Sequence, residues 1–336
     1  MRRKYPFSVS EISEESGVSE ATVSRVLNNQ GSVKEECKEA VFNALRKRGI
    51  NPDDVVLSVP NSSKLILLTL PFDFNSFFNE VIKGAKASAN QHGYQLLILQ
   101  EHINTNTAPR LEKMIKDTKI SGIISLNHIN TTILNEISSL VPIVQCCDYD
   151  LNSKTVSSVS LDDQKMTKSA IDYLISLGKK RIAFLSGPLR YRDNFYRKEG
   201  YLQSLHENGI ELNPSFIINL PEISYNMAFS SATQLLSQGN PPDAFIAISD
   251  LFACAVINAA RRLEIKIPDE LMVIGYDNVD YSIISSPRIT TINTPKFQLG
   301  YTACELLAEK IQNPGATTQH LSLPSEMIIR ETTAAL

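Results

Sequence analysis

Cysteine is scarce and poorly placed for metal or disulfide work. The five residues Cys37, Cys146, Cys147, Cys254 and Cys304 are odd in number and have no CxxC spacing, which suits buried thiols in a reducing compartment. The five histidines form no close pair and no HExxH, so neither a metal site nor a cofactor is expected. GxGxxG, GxxxxGK[ST] and GxSxG are missing too, which removes the common phosphate cradles and the nucleophile elbow. No apolar run is long enough to span a bilayer, so no membrane partner is expected. The basic first residues lead into YPFSVSEIS rather than the apolar stretch of a signal peptide, and the expected compartment is the cytoplasm. Strong charge is also lacking. A net charge of −3 excludes a chain coated for nonspecific nucleic-acid binding, so any DNA contact must come from local placement, such as Arg2, Arg3, Lys4 and Arg25.

What is present is enough for two or three domains: 336 residues, 43% of them hydrophobic. Ser8 to Asn28 read as two short helices joined by a turn at Ser16, Gly17 and Val18, the pattern of a helix-turn-helix. Ser8 and Glu11 make a capping box, Gly17 breaks the first helix, and Ser19 caps the second. Helical spacing turns Val23, Val26 and Leu27 inward and leaves Glu20, Ala21, Thr22, Ser24, Arg25 and Asn28 outward. The bland alternative is a helical hairpin inside a larger core. A third helix follows, with Ser32 and Glu35 as a second capping box and Val33, Cys37, Val41, Ala44 and Leu45 at helical spacing until Gly49. Arg46, Lys47 and Arg48 at its end suit the helix dipole.

From Lys64 the texture becomes α/β. LILLTLP, YQLLILQ, SGIISL and PIVQCC, then KRIAFLSG, FIINL, AFIAIS and LMVIGY, are short apolar runs separated by helical stretches, the signature of parallel sheets covered on both faces. Two such series imply two lobes, and parallel sheets bind ligands beyond the carboxyl ends of their strands. Residues following the strands are Phe72, Asp73, Phe77 and Phe78, then Asp148, then Tyr191, Arg192, Asp193 and Arg197, then Ser249 and Asp250, then Asp277 and Asn278. Aromatic faces beside carboxylates and a guanidinium suit a sugar or nucleoside. Packing for the phenylalanines, a surface pairing for Arg197 with Asp193 or Glu199, and helix capping for Asp250 and Asp277 are the alternatives.

The run VSEATVSRVLN resembles the start of the LacI/GalR bacterial transcription regulators, and later segments match that family in the same order. The resemblance implies an α/β chain with an N-terminal three-helix helix-turn-helix headpiece (1–50), a hinge or linker (51–63), and a two-lobed domain of the periplasmic-binding-protein fold. The lobes would comprise 64–162 with 293–322 and 163–292 with 323–336, joined by crossovers near 162, 292 and 322. It implies effector roles for Phe77 and Phe78 as the aromatic pair of purine- and nucleoside-responsive members, for Arg197 in YRKEGY, and for Asp250 and Asp277. Where purine-binding members place an aromatic on the second lobe, this chain has Ile223. Family hinges carry a basic helix that wedges a leucine into the minor groove. By position Val59, with Leu57 beside it, would be the wedge, but NPDDVVLSVPNSSK has no Lys or Arg before Lys64, so a plain linker is the competing reading.

The function expected is a homodimeric, sequence-specific DNA-binding regulator that recognises a near-palindromic operator through Ser19 and the outward face of the second helix. Arg25 would read a guanine and Glu20 a cytosine, with Thr22, Ser24 and Asn28 mainly on phosphates. A small sugar or nucleoside effector would control it. A cytoplasmic enzyme acting on sugars or nucleosides, or a solute-binding protein, are the alternatives; the cleft aspartates have no histidine or metal partner at a recognisable spacing. MIIRETTAAL reads as a last strand and tail with no leucine heptad, which favours a dimer over a tetramer.

Overall fold

The Ser8 hydroxyl accepts from Glu11 N at 3.2 Å while the Glu11 carboxylate accepts from Ser8 N at 3.0 Å. This capping box opens helix α1 (Val9–Ser16). The computed structural model describes residues 7–27, 33–52, 64–71, 76–150, 152–189 and 191–334. The chain divides into two units, Met1–Ser63 and Lys64–Leu336.

In the first unit Gly17 ends α1 at φ +70, a backbone that side chains other than glycine rarely adopt, and its N–H closes on Ser13 O at 3.0 Å. Ser19 Oγ accepts from Thr22 N at 3.2 Å at the start of α2 (Glu20–Leu27). The third helix, α3, runs over Glu35–Lys47 with Lys34 as N-cap and no side-chain capping bond. The capping box expected of Ser32 and Glu35 therefore gives way to a start at Glu35 itself, and Ser32 lies outside the described residues. Phe7, Ile12, Val23, Val26, Leu27, Val41, Ala44 and Leu45 form one small core. Each large aliphatic among them contributes about 1.5–3 kcal/mol. Arg48 ties the end of α3 to α1 through Glu11 at 3.1 Å and Glu15 at 2.6 Å. Both carboxylates titrate below their usual range, Glu11 first through its bond to the Ser8 backbone and Glu15 first through Arg48.

The second unit holds two six-stranded sheets. The first contains β1 (Leu65–Leu70), β2 (Gln95–Gln100), β3 (Gly122–Ser125), β4 (Ile143–Cys146), β5 (Ser157–Leu161) and, much later, β11 (His320–Leu323). Their order is β11-β5-β4-β3-β1-β2, and every pairing is parallel. The second contains β6 (Ile182–Ser186), β7 (Ile217–Asn219), β8 (Ala244–Ala247), β9 (Met272–Tyr276), β10 (Thr290–Asn293) and β12 (Glu326–Ile328). Its order is β12-β10-β9-β8-β6-β7, with only β12 antiparallel to its neighbour. LILLTL and IAFLS are almost wholly apolar because helices cover both faces of such sheets.

Around the first sheet lie α4 (Ser76–Gln91), α5 (Ala108–Thr118), α6 (Thr131–Leu140) and α12 (Lys296–Gln312). Around the second lie α7 (Asp163–Ser176), α8 (Arg192–Glu207), α9 (Tyr225–Leu236), α10 (Asp250–Arg262) and the short α11 (Tyr281–Ile284). The chain leaves the first sheet after β5, returns after β10 into α12, and passes from β11 to β12. These passages bring the carboxyl ends of β1 and β4 opposite those of β6, β8 and β9. Among the described residues no helix is long and apolar enough to cross a membrane.

Candidate functional site

Between the sheets lies a cavity of about 940 Å³ of empty space, its open mouth included. The first lobe lines it with Pro71, Phe77, Phe78, Leu126, Cys147, Asp148 and Leu161. Phe77 and Phe78 meet edge to face, ring centres 5.4 Å apart, at the start of α4. Cys147 is held at φ +73 by the bond from Asp148 N to Cys146 O at 3.0 Å, a strained three-residue turn at the end of β4. That turn sets Asp148 in the wall, where His128 Nδ1 pairs with its Oδ2 at 3.0 Å and its other carboxylate oxygen has no hydrogen-bond partner. The hydrogen bond with the adjoining Cys146 thiol pushes the Cys147 thiol well above its usual range. Burial contributes after the Cys146 hydrogen bond, and Asp193 and Asp163 add to it.

The second lobe contributes Asp163, Tyr191, Asp193, Asn194, Arg197, Ile223, Ile248, Ser249 and Asp277. Arg197, on α8, is 6% exposed. Its Nε donates to Asp163 Oδ1 at 2.8 Å and its Nη1 to Ile248 O at 2.8 Å, while its guanidinium carbon sits 3.7 Å from the centre of the Tyr276 ring. The Tyr276 hydroxyl donates to the same Asp163 oxygen at 3.1 Å, and Asp193 approaches Arg197 at 3.7 Å. Burial raises Asp163 against the pull of Arg197, and the surrounding carboxylates hold Arg197 well above its usual range against its own burial. Asn194 spends its amide N–H on Pro188 O at 3.1 Å, leaving its oxygen without a partner.

Asp277 has φ +89 and is 9% exposed; burial pushes its carboxyl up to about 6, with Arg197 and Lys296 opposing. Beneath it the Lys296 ammonium, at the head of α12, donates to the carbonyls of Asp277, Asn278 and Thr294. One lysine thus joins the cavity wall of the second lobe to a helix packed on the first.

Of the sequence-derived effector candidates, Phe77, Phe78, Asp148, Tyr191, Asp193, Arg197, Ile223, Ser249 and Asp277 come together around the cavity. Asp250 does not line it. Its carboxylate, fully buried, accepts from Val279 N at 2.8 Å and the Thr291 hydroxyl at 2.6 Å. The backbone of Gly275 admits it, since a Cβ there would lie 2.3 Å from the carboxylate. Asp250 therefore fixes the loop that carries Asp277, and burial pushes its own carboxyl up to about 7. Ser249 caps α10 by accepting from Phe252 N at 3.3 Å. Phe72 and Asp73 lie outside the described residues. Asp163 and Asn194 were not among the expected residues; the signal for Asp163 was an acidic pair, Asp162 and Asp163, straight after the small-residue run VSSVSL. Among the described residues no group of His, Cys, Asp or Glu is disposed to hold a metal.

In the first unit Ser19, Glu20, Ala21 and Arg25 are exposed, Thr22 and Ser24 are half-buried, and Val23, Val26 and Leu27 are buried. The outward face of α2 is small and polar, as the helical spacing required. Asn28, Leu57 and Val59 lie outside the described residues, as do Arg2, Arg3 and Lys4.

Two family models match the chain. Residues 8–53 match the bacterial regulatory proteins of the lacI family, and residues 171–333 match the periplasmic binding protein-like domain. The HTH-type transcriptional repressor CytR of Escherichia coli (strain K12) is 31% identical over 95% of this chain and 94% of its own. The lac repressor dimer, solved bound to operator and the anti-inducer ONPF, has a TM-score of 0.73 over 98% of this chain and 100% of its own, at 23% identity. A LacI family transcriptional regulator from Enterococcus faecium, solved with bound ribose, has a TM-score of 0.71 over 81% of this chain and 99% of its own, at 24% identity.

Proposed function

The chain belongs to the lacI family of bacterial regulatory proteins, and from that premise we propose that it is a cytoplasmic homodimeric repressor controlled by a sugar-like or nucleoside effector. It is a DNA-binding transcription regulator, as its relatives are, and not an enzyme. Within the proposal, the headpiece is residues 1–50, the hinge 51–63, and the lobes 64–162 with 293–322 and 163–292 with 323–336. The lac repressor structure is a dimer on its operator, and the same arrangement here would place two α2 helices on half-sites about one helical turn apart.

The observation that carries the reading is the coexistence of an exposed polar recognition face on α2 with a cavity whose charged walls come from two lobes. Arg25 is assigned to a guanine through O6 and N7, Glu20 to a cytosine amino group, and Thr22, Ser24 and Asn28 to phosphates, with Ser19 and Ala21 at the groove edge. Leu57 and Val59 are the hinge residues nearest the minor groove in this reading. The effector meets Phe72, Asp73, Phe77, Phe78, Asp148, Tyr191, Asp193, Arg197, Ile223, Ser249 and Asp277, with Asp250 behind them. Ligand that binds one arrangement of the lobes better than the other shifts operator affinity by that difference.

Selection of the purified protein on a randomised DNA pool tests this. The expected product is a palindrome of about 14–20 base pairs. Arg25→Ala is expected to cost about 1–3 kcal/mol of discrimination at one base pair per half-site, read by competition between operator variants. Binding that is salt-sensitive but indifferent to sequence would refute the regulator reading.

A further inference from the structure

Successive side chains of a strand point to opposite faces, so the adjacent Cys146 and Cys147 would ordinarily stand on two sides of the first sheet. They do not. β4 ends at Cys146, and Cys147 takes φ +73, a left-handed backbone uncommon outside glycine and asparagine. The turn is pinned on both sides, by Cys147 N donating to Val159 O at 2.9 Å and Asp148 N donating to Cys146 O at 3.0 Å. It brings the two sulfurs to 3.7 Å. Cys146 is fully buried in the first-lobe core, whereas Cys147 is half-buried and lines the cavity, so the dithiol is reached from the cavity through its outer member. Asp148 follows in the same wall, 9% exposed, and its Oδ1 is a buried acceptor with no partner. A buried acceptor left unmatched is costly, so a ligand that donates beside the thiols is favoured.

We infer that Cys146 and Cys147 form a chelating site for trivalent arsenic, in which both sulfurs bind one arsenic atom on the cavity side and its remaining hydroxyl donates to Asp148. Thiols this close complete a small ring on a single pyramidal atom, and are too near each other to flank a linear two-coordinate ion. A tetrahedral ion of the zinc type asks for four donors, and among the described residues no group of three His, Cys, Asp or Glu is disposed to hold one. The step balances without an oxidant. Arsenous acid condenses with the two thiols: two As–O and two S–H bonds break, two As–S and two O–H bonds form, two waters leave, and arsenic stays trivalent. No net charge enters the buried wall, so no desolvated ion has to be matched there. Because the sulfurs are already held together, the second As–S bond is intramolecular, and the pair outcompetes a free monothiol by roughly 100-fold or more. Phe77 and Phe78 in the same wall give an aryl arsenical a face to pack on. The site shares the cavity with the proposed effector but depends neither on that effector's identity nor on DNA binding.

The test is intact-mass analysis of the full-length protein, kept reduced with a phosphine, after incubation with arsenite or phenylarsine oxide in excess glutathione. One arsenical per chain is expected, resisting glutathione and removed by dimercaprol. Cys147→Ala and Cys146→Ala are each expected to weaken retention by roughly 100-fold or more, while Cys304→Ala, which removes another buried thiol of the same core, keeps it. Cys146 is itself a core residue, so X-ray absorption at the arsenic edge on the wild-type protein gives a readout that needs no variant: two sulfur neighbours and one oxygen with arsenite. Asp148→Ala should weaken arsenite about tenfold and leave phenylarsine oxide, which keeps no hydroxyl once bound, unchanged. Absence of an adduct overturns the inference, as does retention in Cys147→Ala, loss in Cys304→Ala, or a count of one or three sulfur neighbours. An equal response of both arsenicals to Asp148→Ala removes the hydroxyl contact. No DNA enters these measurements, so their failure leaves the regulator reading standing, and failure to select an operator leaves the arsenic site standing.

Discussion

Both lobes press a helix pair together at glycine. In the first lobe α4 and α12 cross where a Cβ on Gly84 would lie 1.9 Å from Phe297 O and one on Gly300 1.9 Å from Val81 O; in the second, a Cβ on Gly200 of α8 would lie 2.2 Å from Gln164 O of α7. Above that shared construction the cavity walls diverge. The first lobe offers mainly apolar surface, Phe77, Phe78, Leu126 and Leu161, with one carboxylate on a strained turn. In the second, Asp163, Arg197 and Tyr276 hold one another at 2.8 and 3.1 Å before any ligand arrives. One wall is a surface to stack on and the other a prebuilt electrostatic frame. Such a frame costs little reorganisation when a ligand binds, but its charges are buried and so depend on each other for stability.

The largest expected effect breaks that frame. Arg197→Met leaves Asp163 buried without its cation, and a loss of about 3–5 kcal/mol in urea unfolding is expected. Adding Asp163→Asn should recover much of it, because the uncompensated carboxylate goes too. Phe78→Ala in the first lobe should cost well below the roughly 3–5 kcal/mol of a fully buried phenylalanine, since Phe78 is only half-buried, and should act on ligand affinity instead. Equal destabilisation by Phe78→Ala and Arg197→Met would erase the contrast.

Next comes the shared construction. Gly84→Ala and Gly200→Ala each force a methyl group against a backbone carbonyl on the neighbouring helix, where neither partner is a flexible side-chain end. A cost of about 1–3 kcal/mol or more is expected in each lobe, read as a lowered melting temperature. If only one of the two substitutions is costly, the lobes do not rely on the same helix contact.

Two buried carboxylates give the second lobe a component of pH dependence that opposes the usual one. Asp250 and Asp277, both in the second lobe, are pushed by burial up to about 7 and about 6 from an ordinary value of 3.8. Their folded-state affinity for protons exceeds that of the unfolded chain, so their contribution is present at low pH and is lost as pH rises from about 4 toward 7. Each group removes up to about 1.4 kcal/mol per pH unit inside its window. In the first lobe Asp150 is lowered, although burial opposes it, because bonds from Thr131 and Asn152 hold its charged form; that stability is lost as pH falls. Asp250→Asn should flatten the fall in stability between pH 4 and 7, and an unchanged slope in unfolding experiments would remove Asp250 as its source.

The same contrast explains what the sequence revealed. The apolar strands β1, β3, β4, β6, β8 and β9 were legible because burial on two faces demands continuous aliphatic runs, whereas β2 and β7 carry the same kind of run at sheet edges where much of it is exposed or half-buried. SSVSL, TTIN and HLSL, which form β5, β10 and β11, gave no such signal, since their hydroxyls are satisfied inside the fold: Thr291 on Asp250, Thr290 with Thr333, Ser158 with His320. Those three strands adjoin the passages between lobes, so sequence patterning was weakest where the two halves are joined. In the cavity, the residues just beyond apolar strands were found by position alone. Asp163 escaped because the strand before it was itself silent, and Asp250 was placed one layer too far forward because its role depends on the bare backbone of Gly275, a tertiary fact.

The smallest expected effect concerns the mouth, where the two walls meet. Arg192, at the start of α8 in the second lobe, lies with its guanidinium carbon 4.1 Å from the ring centre of Tyr149, which follows β4 in the first. The same group is 4.6 Å from the Tyr196 ring and donates to its hydroxyl at 2.8 Å. Cation–π contacts at sites of this kind are worth about 0.5–1 kcal/mol, too little to hold the lobes shut but enough to bias an opening equilibrium. Tyr149→Ala removes the contact across the cleft and leaves the pairing of Arg192 with Tyr196 within its own lobe. Ligand affinity should fall about two- to fivefold, chiefly through faster dissociation, with the melting temperature of the ligand-free protein almost unchanged. Tyr149→Phe keeps the ring face and should retain most of the affinity, because the interaction is with the ring and not with its hydroxyl. If Tyr149→Phe loses as much as Tyr149→Ala, the hydroxyl itself is the contact, and the mouth belongs to the polar frame of the second lobe rather than to a stacking surface shared by both.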